Sequence, residues 1–248
     1  MRTTFRAALL FALLNTGLQA QEASVLGGLA WLAQSDMEGP VTVIDLVKFR
    51  PGREESYEQY DALAEAKLTS LGGEVIFRGS SKSVAGLDAS SWDRVTMRKY
   101  PSTSAVVEMG ASSEYRAAFP LRVESVEASL VYAFAGDAMR RVAADDASDA
   151  VYMLNLLRFK EEGGEAGYND YGASVMPLLR QQGGRPVLSM SGLTAVISDE
   201  EVDRMILVRY PSIESFRSMI SSPEYRAIAR KRTDSIELGL LFPFMNIR

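Results

Sequence analysis

An internal repeat constrains this chain more than any other feature. The sequence Tyr-Pro-Ser at 100–102 recurs at 210–212, and Glu-Tyr-Arg at 114–116 recurs at 224–226. Both pairs are offset by 110 residues. Most of the 248 residues therefore belong to two copies of one unit, so the fold must contain the same order of elements twice.

Residues 1–20 precede the repeats and have the pattern of a secretory signal peptide. Two arginines come before an apolar run that ends at Leu14, and Ala20 is a small residue that signal peptidase accepts. We predict cleavage before Gln21 and a periplasmic or secreted protein. The alternative is an uncleaved anchor, but the apolar run is far shorter than the roughly 20 residues that span a bilayer.

The chain contains no histidine and no cysteine. These absences exclude Ser-His-Asp and Cys-His triads, His-ligated haem and essentially every zinc site built from Cys or His. An exported product must fold without disulfides, which a chain of this length can do because it buries most of its apolar surface. We therefore predict neither a metal nor a cofactor.

The charge balance argues against further functions. Without residues 1–20, which hold two of the 27 basic side chains, 25 basic and 32 acidic side chains remain, a formal charge of −7. An acidic chain without a Lys/Arg cluster has little affinity for phosphate backbones, so we expect no nucleic-acid partner. No later stretch is apolar enough to span a membrane, so we expect no stable membrane insertion after signal cleavage.

Each copy has the same predicted order of elements, β-α-β-β-α-β, and the order restarts at Val151. Strands are predicted from runs of β-branched and apolar residues with period-2 alternation, and helices from apolar residues at helical spacing. In the first copy these are strand 41–49, helix 57–71, a strand from Val75, strand 94–100, a helical pair from Ser102 and strand 129–134.

This order predicts an α+β fold of two tandem ferredoxin-like domains, each an antiparallel sheet with two helices on one face. The other faces are apolar, as Val43/Val47/Phe49 with Val95/Met97 and Ile206/Val208 show, so we expect the two sheets to pack on each other within one chain. The predicted parts are a signal peptide (1–20), an N-terminal extension (21–40), the first repeat (41–136), a linker (137–149) and the second repeat (150–248).

Several repeated motifs carry a family resemblance: Tyr-x-x-Tyr, Gly-Gly, Lys/Arg-Tyr-Pro-Ser, Ser-x-Glu-Tyr-Arg and a later arginine. The chain resembles a small domain-of-unknown-function family of the dimeric α/β-barrel superfamily, whose domains carry Phe-Pro-Ser and Ser-Pro-Glu-Tyr. Here Tyr replaces that Phe, and only the second copy has the complete Ser222-Pro223-Glu224-Tyr225. The resemblance covers most of residues 41–134 and 151–244.

The resemblance implies an intramolecular α/β barrel with a ligand cleft between sheet and helices. The superfamily includes cofactor-free monooxygenases, small lactone isomerases and dye-decolourising haem enzymes, so the fold alone implies no single reaction. The oligomeric state stays open between a monomer with a pseudo-dimeric barrel and a higher oligomer.

Asp45 and Asn155 are polar residues at equivalent points of apolar strand faces. A buried polar group without a partner costs about 1–3 kcal/mol, so each needs one. They either line a ligand cleft or the seam between the repeats, or they pair with a backbone group or a nearby arginine, which is the commoner outcome. Because a site should differ between copies whereas scaffold repeats, this position is the favoured place for specificity.

Arg122 and Arg232 are candidate ligand-binding residues, because a guanidinium can hold a carboxylate through two hydrogen bonds. The alternative is a structural role, as an ion pair with Glu127 or Glu237 or as a favourable charge at a helix C-terminus. Glu124/Glu127 and Asp234/Glu237 have the spacing of two carboxylates on one helix face, but without a third ligand we interpret them as solvated.

Tyr60 and Tyr171 are candidate phenolic acid–base groups, and each follows another tyrosine at i−3. That spacing is also typical of a helix face packed on its sheet. We predict small-molecule binding or cofactor-independent catalysis by proton transfer or isomerisation, on an organic ligand that is anionic or phenolic. The alternative is a non-catalytic structural or protein-interaction module. The candidate catalytic residues are Asp45, Asn155, Tyr60 and Tyr171, with Arg122 and Arg232 binding the ligand.

Overall fold

The computed structural model describes residues 28–81, 92–136, 142 and 149–247. Residues 28–34 are helical and are labelled α1. The first repeat contains β1 (Val41–Phe49), α2 (Glu54–Ser70), β2 (Glu74–Ser81), β3 (Arg94–Tyr100), α3 (Thr103–Ala111), α4 (Ser113–Ser125) and β4 (Val126–Ala135). The second contains β5 (Val151–Phe159), α5 (Gly164–Gln181), β6 (Arg185–Ile197), β7 (Arg204–Tyr210), α6 (Ile213–Ser221), α7 (Pro223–Ser235) and β8 (Ile236–Asn246). The predicted signal peptide and most of the predicted linker lie outside the described residues.

The strands form one closed barrel in the order β1-β3-β2-β8-β5-β7-β6-β4, with antiparallel pairing throughout. Two seams join the repeats, β2 with β8 and β4 with β6. The expectation of two ferredoxin-like units in an intramolecular barrel is confirmed. Because the barrel is closed, α1 covers no sheet edge, and its Leu29 and Leu32 pack instead in the helix-side layer of the first repeat.

The barrel interior is filled by alternate residues of the strands, as period-2 geometry requires. Both repeats contribute to this one apolar cluster, which includes aromatic rings from β2, β4, β5 and β8. Inward residues of the first repeat include Ile44, Leu46, Val95 and Met97, and those of the second include Leu154, Leu156 and Leu207.

The predicted inward face of two strands was wrong. Val43 and Val47 pack under the helices of the first repeat, and Ile206 and Val208 pack under those of the second. Both faces of β1 carry apolar residues, so period-2 alternation alone does not say which face the helices cover. Asp45 lies on the same face of β1 as Val43 and Val47. In the structure this face is covered by the helices, and arginines pair with Asp45 there.

The repeated Tyr-Pro-Ser and Glu-Tyr-Arg motifs form a strand-to-helix corner in each repeat. The hydroxyls of Ser102 and Ser212 accept hydrogen bonds from the third following backbone N–H, both at 3.2 Å, and so cap α3 and α6. Ser222 caps α7 in the same way, with Pro223 in its first turn. Ser112 caps α4 as Ser222 caps α7, and these two caps fix the start of the helix that carries the late arginine of each repeat.

Candidate functional site

A cleft opens between the helices and the outer face of the sheet in the first repeat. Its cavity volume is about 70 Å³, within a space of about 660 Å³ that includes the solvent at its open mouth. Its walls come from α1, β1, β3, α2, α3, α4 and β4, and the end of β6 closes one side from the second repeat. The apolar wall residues include Leu29, Val43, Met109, Phe119, Val131 and Val196.

Asp45 lies at the base of this cleft and is held by three donors. Its Oδ1 accepts a hydrogen bond from Nη2 of Arg122 at 2.8 Å. Its Oδ2 accepts one from the Tyr57 hydroxyl at 3.4 Å and lies 3.8 Å from Nη1 of Arg98. The structural alternative therefore describes the pairing of Asp45, since nearby arginines satisfy it.

The ion pairs continue from Arg98 towards the protein surface. Arg98 also donates to Asp61, whose Oδ2 accepts from Nε of Arg78 at 2.9 Å. The other end of Arg78 donates to Oε2 of Glu65 at 2.7 Å. Cations and anions thus alternate along one line, here called the ion-pair chain: Arg122, Asp45, Arg98, Asp61, Arg78 and Glu65.

The ion-pair chain runs from the cleft to solvent. The exposed fraction of the side chain is 2% for Arg122, 6% for Asp61 and 43% for Glu65. The ion-pair chain is neutral overall, with three guanidinium groups and three carboxylates, and Glu65 is its most exposed member. The cation that ends the chain is the one at the cleft.

Neighbouring charges determine the ionisation of the chain. Burial raises the pKa of Asp61, but the charges of Arg98 and Arg78 outweigh it and hold the pKa below the ordinary 3.8. Burial lowers the pKa of Arg122, but Asp45 and the nearby tyrosines together outweigh it, and the pKa lies above the ordinary value. Burial also raises the pKa of the Tyr60 phenol well above its ordinary value, so this group is neutral near pH 7.

Several buried polar atoms around Asp45 have no hydrogen-bond partner among the described residues. They are Nη1 of Arg122, Nε of Arg98 and the hydroxyl of Thr96, which lies opposite Asp45 in the β1–β3 ladder. Arg122 and Arg98 both line the cleft. An unpaired buried donor costs about 1–3 kcal/mol, so these N–H groups favour an added oxygen acceptor.

The second repeat has the same strand register, which fixes the equivalent residues. Arg78 lies opposite Thr96 and Ser189 lies opposite Ile206, with a bulge at the same place in both ladders. Of the ion-pair chain, only Arg122 has a charged equivalent, Arg232. Asp45, Arg98, Asp61, Arg78 and Glu65 correspond, in that order, to Asn155, Val208, Gly172, Ser189 and Met176.

The candidate residues of the second repeat have other partners. Asn155 donates to the backbone oxygen of Met153 at 3.3 Å, and Arg232 hydrogen bonds to the Tyr168 side chain. Tyr171 donates to the Tyr225 hydroxyl at 3.4 Å. The six predicted site residues thus form two groups, and Asp45, Tyr60 and Arg122 line the cleft whereas Asn155, Tyr171 and Arg232 do not.

Arg122 and Arg232 do not form the ion pairs that were expected with Glu127 and Glu237. Glu127 pairs with Lys48 at 3.8 Å and Glu237 pairs with Arg158 at 3.2 Å, whereas Arg122 is committed to Asp45. The spacing argument for Glu124/Glu127 also fails, because α4 ends at Ser125 and Glu127 belongs to β4. Within the described residues, no group of three or more acidic side chains could hold a metal ion.

Interactions that occur in both repeats are scaffold. A carboxylate oxygen of Asp93 accepts from the Phe49 backbone N–H at 2.7 Å, and Asp203 does the same for Phe159 at 2.6 Å. The hydroxyls of Tyr60 and Tyr115 lie 3.3 Å apart, as the equivalent pair in the second repeat does at 3.4 Å. The first repeat therefore differs from the second repeat chiefly in the ion-pair chain.

Sequence reasoning missed Asp61, Glu65 and Arg98. Their equivalents in the second repeat are uncharged. A comparison of the two copies at every position, like the one that distinguished Asp45 from Asn155, would have identified all three. Arg98 was overlooked because the adjacent Lys99 aligns with Arg209 and makes the strand look repeated.

The closed antiparallel barrel, the outer helices and the cleft between them define a dimeric α/β-barrel protein whose two halves are fused in one chain. The family model described as domain of unknown function (DUF1330) matches residues 46–134 and 151–242. The chain belongs to this family and carries its domain as a tandem repeat.

Solved structures have the same fold at low sequence identity. An anthrone oxidase-like protein is 11% identical, with a TM-score of 0.59 over 86% of this chain and 93% of that one. A Lactobacillus acidophilus NCFM protein provisionally assigned as a monooxygenase is 14% identical, with a TM-score of 0.51 over 84% and 94%. A Rhodopseudomonas palustris protein of unknown function is 31% identical over 42% of this chain and 87% of that one, with a TM-score of 0.39. No curated protein gave a significant match.

Among the helices of the described residues, none is long and apolar enough to cross a bilayer.

Proposed function

We propose that this chain binds one small organic molecule in the cleft of its first repeat. The difference between the two repeats carries this proposal. Five of the six ion-pair chain positions are neutral in the second repeat, although the strand register is the same. Since the second repeat adopts the same fold without these charges, folding does not require them.

The energetics of buried charges support a functional role for the ion-pair chain. Desolvation offsets much of the attraction in a buried ion pair, and apolar replacements of similar volume are often neutral or stabilising by about 1–4 kcal/mol. The purely structural alternative gives no reason to retain two buried carboxylates and three guanidinium groups in one copy. A ligand that contacts the cleft end supplies one.

The cleft indicates the shape of the ligand. Apolar and aromatic walls with a few polar groups at one end are typical of small-molecule sites. Nη1 of Arg122 is the donor without a partner among the described residues, so the ligand carries an oxygen acceptor at that end. The hydroxyls of Tyr60 and Tyr115 lie at the same site and can add hydrogen bonds.

The geometry supports binding more strongly than proton transfer. A general base must lie within hydrogen-bond reach of the substrate proton and be directed at it. The two oxygens of Asp45 are instead directed at Arg122 and Tyr57, from which they accept hydrogen bonds. In this proposal Asp45 positions Arg122, and catalysis by isomerisation requires a base outside the ion-pair chain.

A ligand screen tests the proposal. The full chain is mixed with naphthalene derivatives that carry a carboxylate, a ketone, a hydroxyl or no substituent, and the melting temperature is measured. We expect at least one oxygen-bearing compound to raise it by several degrees. The same compound should lose its effect in Gly110→Ile, because Gly110 lines the cleft beside Leu29.

Asn155→Leu is the control in the second repeat, because Asn155 is equivalent to Asp45 but lies outside the cleft. The shift should persist in this variant. Unchanged melting temperatures with every compound would remove the support for a ligand site and leave the structural or interaction module. A shift that survives Gly110→Ile would place the site elsewhere.

We also propose that the chain is exported and cleaved before Gln21. The support is the sequence pattern of residues 1–20: two arginines, an apolar run and a small residue at the end. Expression of the full chain in a bacterium with a periplasm, followed by mass spectrometry of the N-terminus, tests it. An N-terminus at residue 1 would contradict the proposal.

A further inference from the structure

The ion-pair chain ends on a positive charge at the cleft. Each of its inner members touches opposite charges on both sides, and its outer end is the solvated carboxylate of Glu65. Arg122 has an opposite charge on one side only, that of Asp45. Glu65 likewise has one partner, but it is 43% exposed whereas Arg122 is 2% exposed, so water screens the anionic end of the chain and not the cationic end.

The charged residues that line the cleft are Asp45, Arg98 and Arg122. Two cations thus face the cleft with one anion. Asp61 offsets Arg98 from behind, and it is shared with Arg78, which has Glu65 as its own second partner. The chain is neutral overall, but cations are in excess at the cleft, where Arg122 is 2% exposed and so poorly screened by water.

Resting on the ligand site proposed above, we infer that the ligand is a monoanion: an apolar, aromatic-sized compound with a single carboxylate that accepts a hydrogen bond from Nη1 of Arg122. A carboxylate pairs with a guanidinium through short, charge-assisted hydrogen bonds. It also adds a second anion beside the two guanidinium groups and one carboxylate that line the cleft. A neutral ketone or phenol satisfies the N–H group but adds no negative charge.

At the equivalent positions the second repeat has one guanidinium group where the first has two. Arg232 retains the cation of Arg122, but Asn155 and Val208 replace Asp45 and Arg98. Arg232 is half-buried, hydrogen bonds to the phenol of Tyr168 and does not line the cleft. We therefore expect one anion per chain, in the first repeat.

Isothermal titration calorimetry with acid and amide pairs tests the inference. The full chain is titrated with benzoate, 2-naphthoate and 4-biphenylcarboxylate, with their three amides, and with 2-naphthol. The best acid should bind at a stoichiometry of one, at least 10-fold more tightly than its amide and than 2-naphthol. In the double variant Asp45→Asn/Arg122→Gln, which keeps a neutral hydrogen-bonding pair, this preference should disappear.

Arg232→Gln is the matched control, and it should leave the preference for the acid unchanged. Equal binding of acid and amide to the wild-type chain would overturn the monoanion but leave the ligand site standing. Absence of binding by all seven probes would count against both. If the double variant fails to fold, as judged by circular dichroism, the acid-to-amide ratio of the wild-type chain decides alone.

Discussion

Arg122 donates a hydrogen bond from Nη2 to Oδ1 of Asp45 at 2.8 Å, and this buried ion pair joins α4 to β1 across 77 residues of sequence. The equivalent arginine and strand residue of the second repeat do not share these roles, since Asn155 donates to its own strand backbone. The same scaffold thus holds a charged centre in one repeat and a neutral one in the other.

Leucine at position 45 should therefore cost far more than leucine at position 155. Asp45→Leu leaves Arg122 and Arg98 buried beside an apolar side chain, and we expect a loss of about 3–5 kcal/mol in the free energy of unfolding. Asn155→Leu removes one hydrogen bond of 3.3 Å, and we expect a change within about 1 kcal/mol. Urea denaturation at pH 7 measures both.

Equal losses in the two variants would contradict the assignment of the charged centre to the first repeat. Asp45→Asn serves as the companion variant, because it keeps the shape of the side chain and one acceptor oxygen. Its loss should lie between those of the two leucine variants.

A second prediction concerns the inner pair of the ion-pair chain. Arg98→Leu and Asp61→Leu should each cost about 3–5 kcal/mol, because each leaves an opposite charge partly unpaired in a buried place. The double variant should cost less than the sum, since Arg122–Asp45 and Arg78–Glu65 remain paired. A double-mutant cycle by urea denaturation gives the coupling free energy, and a coupling near zero would show that the two residues act independently.

The repeat allowed the order of elements, the two-domain division and the barrel to be predicted, because hydrophobic periodicity and turn residues act locally. The facing of β1 was predicted wrongly, since alternation gives two faces and does not say which is covered by helices. The face that the helices cover carries Asp45, whose arginine partners lie 53 and 77 residues away along the chain.

The candidate site was predicted only in part for the same reason. Asp45, Tyr60 and Arg122 do meet in one cleft, but the prediction named their equivalents in the second repeat as candidates too. Leu29 and Val196 line the same cleft from outside the first repeat. Contributions from α1 and from β6 depend on the closure of the barrel, which no local pattern contains.

A third prediction concerns acid. The pKa of Asp61 in the folded chain lies below its ordinary 3.8, so its ion pairs stabilise the fold fully above that pH and are lost as the pH falls through the lower folded value. The difference in free energy of unfolding between the wild-type chain and Asp61→Asn should therefore be larger at pH 7 than at pH 3. Comparing the two proteins cancels the titration of the other carboxylates, and a constant difference would contradict the shift.

The last prediction concerns the contact between α1 and α3. A Cβ atom at Gly110 would lie 2.5 Å from Cδ1 of Leu29, whereas the equivalent residue of the second repeat is Ile220. Gly110→Ile should therefore displace α1 from the cleft, and Trp31 should become more accessible from its present 44% exposure. Acrylamide quenching of tryptophan fluorescence in a Trp92→Phe background measures this.

The matched control is Gly172→Ile in α5, where an added Cβ meets no heavy atom of the described residues within 4 Å. It should leave the quenching unchanged. Because the contact at Gly110 is to the end of a flexible side chain, the barrel should stay folded and the loss of stability should stay within the range of about 1–3 kcal/mol typical of overpacking. Quenching that is unchanged in Gly110→Ile would mean that Leu29 can move aside while α1 remains in place, and α1 would then not be fixed by its contact with Gly110.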